Sequence, residues 1–112
     1  MSIPKAMPNE IIDLMKGMDA IAEQKTTSLF KSNQFEVIRM MLPKGNIIAE
    51  HKAPGEITVQ CLAGRIAFTS DGKTHELSPG QMLYLTAGQP HALEAKEHSS
   101  VLVTIMLASK AG

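Results

Sequence analysis

Residues 80–95 read GQMLYLTAGQPHALEA. An apolar run ends at Thr86, turns through Ala87-Gly88-Gln89-Pro90, and delivers His91 at the start of a second apolar run. Gly supplies positive φ and Pro a fixed φ, so the spacing predicts strand, tight turn, strand. The same grammar extends in both directions. TTSLFK, FEVIRMML, IIAEH, ITVQCL, RIAFTS, THELS, MLYLT, HALEA and SVLVTIML are short and rich in β-formers. Between them lie SNQ, PKGN, APGE, AG, DGK, PGQ, AGQP and KEHS, which concentrate Gly, Pro, Asp, Asn and Ser. Short strands with a turn signal every eight to twelve residues predict an all-β antiparallel sandwich or barrel.

The N-terminal part differs. In PNEIIDLMKGM, Ile11, Ile12, Leu14, Met15 and Met18 fall at helical spacing behind Asn9, a competent N-cap, and Gly17 stands where a helix ends. A short amphipathic helix is the expectation there.

Composition narrows the function classes. The chain has 112 residues, enough for one core, with 44% apolar residues. Eleven basic residues balance eleven acidic ones, so no basic stripe awaits a phosphate backbone and nucleic acid is not an expected partner. The single cysteine, Cys61, cannot close an internal disulfide, which suits a reducing cytoplasm. Pro8, Asn9, Glu10 and Asp13 interrupt any signal-like apolar run, and no stretch is long enough for a membrane span. A cytoplasmic protein with no membrane partner is the expectation.

Two segments carry a resemblance. GNIIAEHKAPGEITVQCLAG, residues 45–64, and the opening stretch resemble the paired motifs of the cupin superfamily. Gly45, His51 and Gly64 match the first motif, while Ala53 stands at its second His and Ile57 at its Glu. Gly80, Gly88 and His91 match the second, with Thr86 for its Pro and Ala95 for its Asn. The chain thus resembles a small single-domain, RmlC-like cupin with a degenerate metal motif. The resemblance implies a double-stranded β-helix, or jelly-roll, barrel. One domain spans 1–112, with an N-terminal helix and edge strand in 1–30 and the barrel core in 35–107.

In metal-binding cupins, both His and the Glu of the first motif converge with the His of the second on a divalent ion. Here His51 and His91 stand at two of those four positions. Three protein ligands are the usual minimum for a catalytic site. A third donor depends on which face of EITVQCL looks inward. Counted straight from His51, odd positions point in, so Ile57, Val59 and Cys61 line an apolar wall. A bulge at Pro54-Gly55 would reverse the parity and turn Glu56 and Gln60 inward instead. His75, of the same parity as Leu77, is a further candidate ligand. The unbulged register buries Ile, Val and Cys rather than Glu, Thr and Gln, and is preferred.

Tyr84 is a candidate to offer its hydroxyl to the pocket, while Cys61 has no adjacent cation to activate its thiol. His98, in KEHS, is expected to be solvated. FEVIRMML and SVLVTIML carry apolar side chains on both faces, so their outer face needs either the N-terminal segment or a second subunit; a homodimer is expected. The residues favour a module that binds a small molecule between His51 and His91, with a divalent metal weak or absent. The alternative is a metal-dependent oxygenase or isomerase, with Zn, Fe, Mn or Ni held by His51, His91 and a substitute ligand.

Overall fold

The computed structural model describes residues 5–107, and the outer limits of the expected domain, 1–4 and 108–112, lie outside the described residues. Nine strands follow in order: β1 Thr27–Lys31, β2 Phe35–Leu42, β3 Ile47–His51, β4 Ile57–Ala63, β5 Ile66–Ser70, β6 Lys73–Leu77, β7 Met82–Leu85, β8 His91–Ala95 and β9 Ser99–Met106. They pair antiparallel into a five-stranded sheet, β1-β2-β9-β4-β7, and a four-stranded sheet, β3-β8-β5-β6. β3 to β4 and β7 to β8 cross between sheets, the jelly-roll arrangement expected from the strand rhythm.

The core lies between the sheets. Ile57, Val59, Cys61, Leu85, Val101 and Val103 come from the larger sheet, and Ile66, Phe68, Leu77, Leu93 and Ala95 from the smaller. Phe68, Ile66, Val59 and Cys61 are fully buried. The unbulged parity of β4 therefore holds: Ile57, Val59 and Cys61 face inward. β4 runs against β7 without a break from Ile57↔Leu85 to Gln60↔Met82.

The N-terminal helix expected over Pro8–Met18 does not form. Turns occupy that stretch, and two short 3-10 turns, kinked at Ala20, follow at Met18–Glu23. Gly17, φ +82, starts this element rather than ending a helix. Side chains compete with the helical ladder here. Glu10 accepts from the Met7 N–H at 2.6 Å and Asp13 from the Met15 N–H at 3.0 Å. Arg39, on β2, donates to the carbonyls of Asp13 and Leu14 at 3.1 and 3.2 Å, two acceptors a helix would have used itself. A one-to-two-turn helix repays little of its nucleation cost, so these bonds prevail.

The same segment covers the outer face of β2 and β9. Val37, Met41 and Ser100 point to that side, yet Val37 and Met41 are buried, and Met18–Glu23, with Ile21 buried, lies against β2 and β9. The cover that the sequence assigned to a second subunit or to the N-terminus is supplied here, at least over these residues, by the chain itself.

At the far end of the barrel Gly64 turns β4 into β5 with φ +79, and a Cβ there would overlap the His98 carbonyl and the Ser99 side chain. Ser99 Oγ meanwhile accepts from Arg65 N–H at 3.1 Å and donates to the Glu97 carbonyl at 2.7 Å. Gly64→Ala combines left-handed strain with a clash against backbone, and should lower stability by about 1–3 kcal/mol in denaturant titration. A loss below about 0.5 kcal/mol would mean that this turn relaxes freely.

Candidate functional site

His51 is the last residue of β3 and His91 the first of β8, and the two are direct cross-strand partners. Their rings meet edge to face, with centroids 4.3 Å apart and planes at 64°. The inner face of the small sheet carries Leu93 and, opposite it, Ile48. Two residues on from Leu93 towards the N-terminus lies His91, also inward. Three on from Ile48 lies His51, and a strict two-residue alternation would place Glu50 there instead. The register of β3 against β8 shifts between Ile48 and His51, and that shift returns His51 to the inner face. A bulge does decide the site, but it falls in β3 and not at Pro54-Gly55.

Behind the pair, Phe68 stacks on His91 at 5.6 Å with only 14° between planes. His91 is 5% exposed, whereas His51 is open to solvent. The turn that delivers His91 is tied down as well: Gly88 N–H donates to the Ala53 carbonyl at 2.9 Å, linking the β7–β8 loop to the β3–β4 loop. Ring and turn are thus held from both sides.

Both rings make the same backbone bond. His51 Nδ1 lies 3.0 Å from the Ala49 carbonyl, and His91 Nδ1 lies 3.0 Å from the Gln89 carbonyl. A carbonyl oxygen only accepts, so each Nδ1 carries a proton, and in the neutral ring that leaves Nε2 as the lone-pair acceptor. Neither Nε2 has a partner among the described residues. The buried side-chain polar atoms left unpartnered there are Arg39 Nε and Ser100 Oγ, so His91 Nε2 reaches the mouth of the barrel. The site offers two adjacent acceptors, orientated in advance.

No third ligand joins them. Among the described residues, no group of three or more His, Cys, Asp or Glu is placed to hold a metal ion. Gln60 pairs with Met82 and Leu102 on the outer face of the large sheet. Glu56 lies beside Tyr84, whose phenol pKa is pushed up first by desolvation and then by the Glu56 charge. Tyr84 itself is 58% exposed and shares the outer face with its partner Thr58, so it does not face the barrel interior. His75 sits across from Phe68 on the inner side, but on the edge strand β6, two strands and two residues away from His91, roughly 12 Å at usual sheet spacing. The positions of the missing family ligands are filled by hydrocarbon: Ala53 packs against the core and Ile57 is 3% exposed within it. The residues present therefore do not fit the full metal-ligand set.

The apolar wall also differs from expectation. Ile57 starts β4 at the histidine end, but Cys61 lies four residues on, about 13 Å along the strand. There its N–H bonds the Gln81 carbonyl, and its thiol faces the Ala63 carbonyl at 3.4 Å. Burial pushes the thiol pKa up, the Ala63 bond draws it down, and Glu97 pushes it up again. Val59 and Cys61 are core, fully buried in one cluster with Phe68 and Ile66. His98, read as solvated, is instead a structural acceptor: its Nδ1 takes the Lys44 N–H at 2.9 Å and ties two loops together. A lone His in a polar turn gives no signal of such a partner 54 positions away.

The family model for the cupin domain matches residues 38–107, so the chain belongs to the cupins. It is 30% identical over 88 residues to quercetin 2,3-dioxygenase of Bacillus subtilis (strain 168), covering 78% of this chain but only a quarter of that protein's length. A conserved protein of unknown function from Streptococcus pyogenes superposes with a TM-score of 0.78 at 26% identity, covering 97% of this chain and 96% of that one. A cupin superfamily protein from Desulfitobacterium hafniense gives 0.72 at 20% identity over 74% and 76% of the two chains. The last of these likenesses concerns the fold alone.

The tautomers are open to direct measurement. Long-range proton–nitrogen spectra at neutral pH should show His51 and His91 protonated on Nδ1 and His98 protonated on Nε2. An Nε2–H form in either of the first two would contradict the acceptor pair.

Proposed function

We propose that this cupin binds a small organic molecule at the mouth of the barrel, accepting hydrogen bonds from it on His51 Nε2 and His91 Nε2. Any divalent metal there is held weakly. The observation that carries this reading is the convergence of two orientated lone pairs with apolar Ala53 and Ile57 at the other two family positions. Two imidazoles fall short of the three protein ligands a resident ion needs. They suffice for hydrogen-bonded recognition, where each bond to a neutral acceptor contributes about 0.5–1.5 kcal/mol.

A second reading is a metal-dependent cupin enzyme of oxygenase or isomerase type, with Zn, Fe, Mn or Ni. The relationship to quercetin 2,3-dioxygenase favours it. None of Glu56, Gln60 or His75 supplies its third ligand in this arrangement. Elemental analysis of protein purified without chelators separates the two readings. The first expects well under half an equivalent of any of these metals. Close to one equivalent, lost in His51→Ala, would establish the second.

The expected homodimer is kept as part of the proposal, on a different surface. With β2 and β9 covered by the N-terminal segment, the apolar side chains left in the open include Met7, Ile11 and Met15, of which Ile11 is 97% exposed. Three such residues along one segment support self-association. Light scattering at micromolar concentration should give twice the 12.1 kDa chain mass for the native protein and a shift to monomer for Ile11→Glu. A native monomer would remove the dimer from the proposal.

A further inference from the structure

We infer that the ligands of this site are small hydroxycarboxylates and that Lys73 sets this preference; the inference rests on the binding reading above. The strand register carries it. His51 pairs with His91, His91 with Ser70, and Ser70 with Lys73. Directly paired residues project from the same face of a sheet, so these four side chains form one row across β3, β8, β5 and β6. The row lies on the inner side, as Phe68, one step further along β5, is fully buried against the core.

The members of the row differ in what they offer. At one end stand two Nε2 acceptors. Ser70 next to them is short, and its hydroxyl turns away to donate to the Pro90 carbonyl at 2.8 Å. Beyond it Lys73 is exposed and makes no ion pair among the described residues. Asp71-Gly72, both at positive φ, close the hairpin that fixes Lys73 opposite Ser70. Lys73 Cα lies about 10 Å from that of His91 at normal strand spacing. Its side chain spans roughly 6 Å.

Charge then fixes the ligand's orientation. A carboxylate has no proton to give and is repelled by two lone pairs, so it is disfavoured against Nε2 acceptors. A hydroxyl donates to them readily. A molecule with a hydroxyl at one end and a carboxylate a few atoms away satisfies the row in one direction only: the hydroxyl gives its one proton to His51 Nε2 or His91 Nε2, and the carboxylate meets the Lys73 ammonium.

Matched acids and amides test this, because they keep the hydroxyl and remove the charge, and the Lys73→Gln comparison separates that loss from the amide's added N–H donors. Mandelate against mandelamide and lactate against lactamide are titrated into the native protein, Lys73→Gln and a Lys31→Gln control on the other sheet. The His51 and His91 ring signals give the readout. The native protein and the control should bind each acid about fivefold more tightly than its amide, with the ratio falling towards one at high salt and in Lys73→Gln. Equal binding of acid and amide by the native protein would overturn the role of Lys73 and leave the His site standing. So would an acid preference that survives in Lys73→Gln. No shift of either ring with any of the four compounds would count against the binding site itself and this inference with it.

Discussion

A one-residue shift of register in β3 governs the chemistry of this molecule. Side chains alternate along a strand, so one extra residue between Ile48 and His51 decides whether imidazole or the Glu50 carboxylate faces the barrel. With the shift, two histidines forty positions apart in sequence become cross-strand neighbours, and Phe68 supports the buried one. Such a bulge has local costs, since it interrupts a ladder. It persists here because Ile48 stays packed against the core on one side while the β3–β4 and β7–β8 loops are joined through Ala53 and Gly88 on the other.

Orientation follows from the backbone rather than from a metal. Each ring gives its Nδ1 proton to the carbonyl two residues earlier, a bond of the kind that orients imidazole ligands in metal sites. The two rings are therefore held by the backbone while Ala53 and Ile57 are apolar. On the proposed reading, that combination suits a ligand with a donor group at the histidine end, and Lys73, further along the row, supplies the charge proposed to favour a carboxylate.

The strand pattern was legible because turn residues and short β-rich runs report local backbone preference, and all nine strands appear where those signals place them. The inward face of ITVQCL was legible for the same reason: burying Ile57, Val59 and Cys61 costs less than burying Glu56, Thr58 and Gln60. What escaped depends on distant partners. The periodicity of residues 8–18 describes a helix, but Arg39 takes the carbonyls that helix needs from 25 residues away. MLYLT contains too few residues to reveal that Tyr84, paired with Thr58, looks outward. His98 meets the Lys44 N–H only once the barrel closes. The unbulged register preferred for β4 holds, and the shift in β3 was not foreseen, since Pro54-Gly55 advertises irregular backbone and Ala49-Glu50 does not.

The central claim, that His51 and His91 stand ring against ring on the inner face, is tested most directly by proton nuclear Overhauser spectra of the native protein with assigned imidazole signals. A centroid separation of 4.3 Å requires strong cross-peaks between the two rings, together with peaks from His91 to Phe68. Absence of the cross-ring peaks, with His51 instead contacting residues on the outer face of β3, would contradict the account.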